Sequence, residues 1–179
     1  MTDTAGIYGK SLYDLAISEN LTEELLPQME MVQHLFEEYP DYVRLLLEPS
    51  VKKNERLSLL DKAFGEEIHP YLLNFLKLLT EKGLLRSYSG CLKRFRALYN
   101  QDHGITDAVV TSAVPLDEAQ VARLRDKLEE VTGKKVILTQ KVSPDVLGGM
   151  RVEVDGKLLD GTVKGRLSDI RKTVNNTVL

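Results

Sequence analysis

Tryptophan is absent from this 179-residue chain, and the four Phe and seven Tyr bring aromatic content to only 6%. A β-sandwich built on large aromatic anchors is a poor fit to that usage, which instead favours helices rich in Leu and charged residues. Cysteine occurs once, at Cys91, so no intramolecular disulfide can form and a reducing compartment is the natural setting. Long apolar runs are missing too. The greasiest window, Tyr71 to Leu79, is broken by Asn74 and Lys77 and falls short of the roughly 18 residues of a membrane span. The first residues, Met1-Thr2-Asp3-Thr4, carry an acid and lack both an apolar core and Arg-rich character, so no signal or transit peptide is expected. An excess of one charge is also lacking, with 24 basic and 27 acidic side chains and a net of −3. A dedicated nucleic-acid binder would carry a basic face.

Charge is nevertheless uneven along the chain. Residues 1 to 50 hold two basic side chains, Lys10 and Arg44, against ten acidic ones, whereas residues 51 to 104 hold ten basic and six acidic. An acidic front of this kind suits either a solvated helical surface or a basic partner.

From Ile7 to about Gly104 the hydrophobic period is helical. Leu25, Met29, Val32 and Phe36 form one stripe at i, i+4, i+7, i+11. Asn20 with Glu23 reads as a capping box opening that helix, and Pro40 ends it. A short apolar helix, Tyr42 to Leu47, precedes Pro49. The helix of Leu57, Leu60 and Phe64 is expected to stop at Gly65, a residue able to take the left-handed geometry of a helix end. Pro70 opens a helix apolar on nearly every side, which predicts a central position, with Gly83 ending it. Tyr88, Cys91, Phe95, Leu98 and Tyr99 share the face of the last. Six helices joined by short turns predict a compact antiparallel bundle over residues 1–104.

At Gly104 the period changes. Ile105 to Ala113 reads as a β-branched strand, and Asp117 with Gln120 as a capping box for a helix that presents Val121, Leu124, Leu128 and Val131 and ends at Gly133. Val136 to Val142 is a second strand. After the Gly148-Gly149 turn, Met150, Val152 and Val154 alternate with charged residues, and Asp155-Gly156 predicts a hairpin back to Lys157-Leu158-Leu159. A final helix places Val163, Leu167, Ile170 and Val174 over the sheet. The fold class is mainly α with a small α+β part: an N-terminal six-helix bundle, then a β-α-β-β-β-α domain over 105–179.

Chemistry is harder to find. Gly9-Lys10-Ser11 has the tail of a phosphate loop, but Thr4 stands where its first glycine is required. His34, His69 and His103 are far apart and Cys91 has no second thiol near it, so no metal site is expected. There is no nucleophile elbow and no paired carboxylate motif. The strands lack aromatic platforms for RNA. Gly161-Thr162-Val163-Lys164-Gly165-Arg166 invites an anion reading, yet Asp160-Gly161 as a turn, Thr162 as a cap and Gly165 as a close-approach residue account for it structurally. No catalytic residue or cofactor is assigned. What remains is surface: the first helix offers Tyr8, Leu12, Leu15 and Ala16 at contact spacing with small Gly9 and Ser11 between them, suited either to its own bundle or to a partner helix.

These residues resemble the delta subunit family of the F-type ATP synthase, the oligomycin-sensitivity-conferring protein family. Tyr8-Gly9-Lys10-Ser11-Leu12 is similar to the family's opening Tyr-Ala-Lys-Ala, with Gly9 and Ser11 where Ala is usual. Asn74 to Leu85, with Glu81-Lys82-Gly83, is similar to its helix ending in Glu-Asn-Gly-Arg, with Leu84 in place of that Arg. Ser112 to Leu116 resembles its strand exit. Gly148-Gly149 followed by Asp160-Gly161-Thr162-Val163-Lys164-Gly165-Arg166-Leu167 resembles its closing signature.

The resemblance implies a non-catalytic stator part present in one copy within a hetero-oligomer. The helical domain would bind alpha-subunit N-terminal helices on the catalytic head, and the C-terminal domain the ends of the peripheral-stalk b subunits. It would have no nucleic-acid partner and no segment inserted in the membrane, and would sit peripherally on the cytoplasmic face of a bacterial plasma membrane. The family's alpha-binding groove lies between the first and fifth helices, which nominates Tyr8, Ser11, Leu12, Ala16, Asn74 and Leu78. Gly148, Gly149, Asp160, Gly161, Gly165 and Arg166 are implied as a structural motif.

Overall fold

A computed structural model describes residues 4–144, 146, 148–154 and 156–162. The chain divides into two compact units, Met1–Tyr99 and Asn100–Leu179. The first holds α1 (Thr4–Ser18), α2 (Thr22–Glu38), α3 (Pro40–Leu47), α4 (Lys53–Phe64), α5 (Pro70–Glu81), a 3-10 turn, Leu85–Ser87, and all but the last three residues of α6 (Tyr88–Asp102). The second holds β1 (Ile105–Ser112), α7 (Glu118–Thr132), β2 (Lys135–Val142), β3 (Met150–Val154) and β4 (Lys157–Asp160). The final helix expected from Val163 onward lies outside the described residues. No described helix is long and apolar enough to cross a membrane.

One core organises the first unit. The α2 stripe Leu25, Met29, Val32 and Phe36 is buried throughout, and meets Leu60 and Phe64 of α4, Leu72, Leu76 and Leu79 of α5, and Tyr88, Cys91 and Phe95 at α6. Phe36 contacts Phe64 and Tyr88 edge-on, at 6.2 and 5.5 Å between ring centroids. The buried Tyr88 hydroxyl donates to the Met29 carbonyl at 2.9 Å, so its polar atom is satisfied inside the core. Burial pushes the Tyr88 phenol well above its ordinary range and holds it in the neutral, donating form. Desolvation likewise raises the Tyr42 phenol to about 12, and its hydroxyl donates to Leu59 O at 3.0 Å.

One helix end departs from expectation. Asn20 is not an N-cap: it sits at φ 56, with Asn20 N–H donating to Ile17 O and Leu21 N–H to Ala16 O. That pair of bonds is the left-handed closure of α1, and α2 starts at Thr22 without a side-chain cap. Asparagine tolerates positive φ, and the upstream helix end claims it first. Gly65 ends α4 as expected, at φ −58, without using the left-handed geometry open to it. Gly83, at φ 68, does adopt the left-handed closure, with Leu84 N–H donating to Leu79 O. Pro40 both ends α2 and supplies the first residue of α3.

In the second unit the strand order is β2-β1-β3-β4, with β1 and β2 parallel and the other pairs antiparallel. The register sets Val110 opposite Val152 and Ala108 opposite Val154, which, with Val136 and the α7 residue Leu128, form the buried face. Asp117 and Gln120 make the expected capping box, and Gly133 at φ 66 ends α7. Val131 is 71% exposed, against expectation, although the same turn of α7 stays tied to the sheet, where Glu129 Oε1 accepts from Val136 N–H at 2.9 Å.

Candidate docking groove and the second-unit motif

Helix α1 carries two apolar stripes. Gly9, Leu12, Tyr13 and Ala16, at i, i+3, i+4 and i+7, are buried in the core. Ile7, Ser11 and Leu15, at i, i+4 and i+8, face outward, and Ile7 and Leu15 are 56% and 37% exposed. Helix α5 repeats the arrangement. Leu72, Leu73, Phe75, Leu76 and Leu79 are buried, whereas Asn74 and Leu78 are exposed and Tyr71 is half-buried. The central position expected for α5 thus describes its inner face, while Asn74 and Leu78 remain open. Its all-round hydrophobicity serves two surfaces, one internal and one open.

Between these outer stripes lies a cavity of about 430 Å³, lined by Ile7, Tyr8, Ser11, Leu12 and Leu15 of α1 and by Tyr71, Asn74, Phe75 and Leu78 of α5. Position and tilt are fixed from behind. Gly9 lets α1 close on α6, since a Cβ there would stand 2.5 Å from the Cys91 carbonyl oxygen. Tyr13 packs edge-on to Phe95 at 5.1 Å. The start of α5 is set by His69, whose Nδ1 accepts from Tyr71 N–H at 3.2 Å, while Gln28 Oε1 accepts from His69 N–H at 2.7 Å. Lys77 pairs with Asp61 of α4 at 2.5 Å, turning the charged side of α5 away from the cavity.

Five of the nominated residues, Tyr8, Ser11, Leu12, Asn74 and Leu78, line this one cavity. Ala16 does not. It is fully buried, because a methyl at that position fills the contact of α1 with its own core. Ile7, Tyr71 and Phe75 line it as well without being nominated by the resemblance, and Ile7 lies one turn before Ser11 on the same stripe. A further open cavity is lined by Leu45, Val51 and Leu59 of the α3–α4 region. Among the described residues no group of three or more His, Cys, Asp or Glu is placed to hold a metal ion.

The closing signature meets in space. Gly149 has φ 80, and a Cβ on it would lie 2.5 Å from Gly161 O, so both halves of the motif touch through backbone. Gly161 N–H donates to Met150 O at 3.0 Å. Asp160 accepts from Thr162 N–H at 3.0 Å and from Thr162 Oγ1 at 2.6 Å, and Arg151 lies 3.3 Å away. Thr162 thus closes onto Asp160. Gly148 occupies the same turn at φ 154, while Gly165 and Arg166 fall outside the described residues.

The Thr162 bonds, and secondarily Arg151, hold the Asp160 carboxyl below its ordinary range. The bonds favour the ionised form, so their contribution is complete above the usual aspartate range and is lost as pH falls through the lowered midpoint. Titration of the carboxyl carbon by NMR is expected to give a midpoint below that range, moving back toward it in Thr162→Val. An unchanged midpoint in the variant would contradict the assignment.

Residues 4–174 match the family described as ATP synthase delta (OSCP) subunit. An ATP synthase subunit delta of Lactobacillus gasseri is 32% identical over 171 residues, covering 95% of this chain and 93% of its own. One from Gloeobacter violaceus is 32% identical over 162 residues, covering 89% and 88%. A chain in the cryo-EM structure of the Toxoplasma gondii mitochondrial ATP synthase hexamer shares the fold, with a TM-score of 0.78 at 17% identity over 96% of this chain and 97% of that one. With a family match over residues 4–174 and a relative covered over 93% of its own length, the chain belongs to the ATP synthase delta (OSCP) subunit family.

Proposed function

We propose that this chain is a non-catalytic stator subunit of an F-type ATP synthase, joining the catalytic head to the peripheral stalk and resisting rotary torque. The family match over residues 4–174 carries the reading. In this reading residues 1–104 pack as a six-helix bundle that grips alpha-subunit N-terminal helices, and residues 105–179 hold the C-terminal ends of the b subunits. One copy serves each complex, peripheral to the membrane on its bacterial cytoplasmic face. Resisting torque calls for slow dissociation, which extended helix packing supplies and exposed ion pairs do not. The α1/α5 cavity supports the first contact, since it is an apolar cleft between two helices with Ile7, Leu15 and Leu78 left partly uncovered.

Leu78 is 40% exposed, so Leu78→Glu is expected to leave stability within about 0.5 kcal/mol. Burying that carboxylate under a helix is expected to weaken binding of an alpha N-terminal peptide by at least about tenfold. Calorimetry measures it, and equal affinity would overturn the groove assignment. Co-purification with ATPase subunits from detergent-solubilised membranes tests the stator role itself.

A further inference from the structure

We infer that the α1/α5 groove selects its partner helix by an amide side chain at mid-length, held by Asn74 and Ser11. The inference rests on the docking role proposed for that groove and adds a rule for what the groove accepts. The two walls share one pattern. On α1 the outer stripe reads Ile7, Ser11, Leu15, and on α5 it reads Tyr71, Asn74, Leu78. Each stripe is large and unsaturated by the core at its ends and polar in its middle. Apart from the phenols of Tyr8 and Tyr71, Ser11 and Asn74 are the polar side chains on the lining.

Their hydrogen-bonding capacity is specific. The Ser11 hydroxyl donates to Ile7 O at 3.0 Å, which spends its proton and leaves its oxygen as an acceptor. Asn74 is exposed, and no described group takes up its side chain, so it offers two donors and an acceptor. A helix laid into the groove removes the water that satisfies these atoms now. An unpaired amide would then carry a desolvation penalty. The backbone of the incoming helix cannot repay it, because its N–H and C=O groups are already bonded to each other. A side chain must do so.

Asn74 needs both a donor and an acceptor opposite, and Ser11 needs a donor. Gln or Asn satisfies all three demands at once, whereas Ser, Lys or Glu meets them in part. The partner is therefore an amphipathic helix with large apolar residues seven positions apart, to fill the two ends, and an amide residue three or four positions after the first. This spacing follows from one and two helical turns along a common face. A helix with an unbroken apolar face is rejected by the same atoms that hold the right one.

The test is a double-mutant cycle by calorimetry on the full-length protein. The probe is a synthetic peptide spanning the N-terminal helix of the alpha subunit from the same organism, with each amide on its apolar face changed to Leu in turn. One such change is expected to weaken binding to the native protein about tenfold. Against Asn74→Leu that penalty should disappear, and Asn74→Ala should show the same coupling at smaller size. Both variants alter an exposed position, and an unchanged thermal midpoint verifies their folding. Additive losses at every peptide position, with coupling under about twofold, would overturn the inference while leaving the docking reading standing. Failure of the native peptide to bind at all would overturn the docking reading and this rule with it.

Discussion

Gly149→Ala is expected to destabilise the second unit by about 2–4 kcal/mol, a large share of what a small domain possesses. Two costs combine. A residue with a side chain at φ 80 is strained by on the order of 1 kcal/mol or more, and the new methyl would stand 2.5 Å from Gly161 O. Backbone is the obstacle, so no flexible side chain can swing aside, and overpacking of this kind adds about 1–3 kcal/mol. Gly156 provides the control. It sits at φ 71 with nothing within 4 Å of its hypothetical Cβ, so Gly156→Ala is expected to cost strain alone, about 1 kcal/mol. Hydrogen exchange at the central sheet residues Val110 and Val152 reports both. Equal losses in the two variants would remove the claim that Gly149 is needed for close approach.

The same locality makes the turns and caps of the second unit legible in its sequence. Glycine pairs, a two-residue hairpin and an Asp-x-x-Gln box are local instructions whose geometry hardly depends on the rest of the chain. The capping box at Asp117 and the hairpin after Val154 appear where expected. Asn20 departs from its local pattern for a physical reason. The Asn-x-x-Glu pattern is local too, but two helix ends compete for one residue, and the choice is made by the bonds from Asn20 and Leu21 back into α1. Val131 is exposed although it shares the spacing of Leu124 and Leu128, because periodicity places a residue on a stripe without fixing how much of that stripe is covered.

The groove was legible only by halves. The stripes of α1 and α5 are written in their spacing, but sequence does not say which of two apolar faces on one helix is turned inward. Ala16 and Ser11 look alike as small residues beside Leu12, yet Ala16 is in the core and Ser11 on the open side. The same ambiguity made α5 look central. An internal face and a partner-facing one obey the same chemistry, and the long-range packing of α1 on α6 through Gly9 decides between them.

Core and groove can be separated by two lesions with opposite signatures. Phe95 is fully buried against Tyr13, on the side of α1 that faces away from the cavity. Phe95→Ala is expected to cost about 3–5 kcal/mol, because it removes a large buried surface, leaves a cavity and breaks an edge-on ring pair. Phe95→Leu keeps most of the volume and is expected to stay under about 1.5 kcal/mol. Urea unfolding of the two variants measures the difference. While the alanine variant remains mostly folded, its affinity for a groove peptide should change less than about twofold, because apparent affinity falls only by the fraction of competent molecules. Leu78→Glu does the reverse, sparing stability and losing the peptide. If Phe95→Ala instead lost binding in step with Leu78→Glu while still folded, α1 would have to be held by the ligand rather than by its own core, and a preformed groove would give way to one shaped on contact.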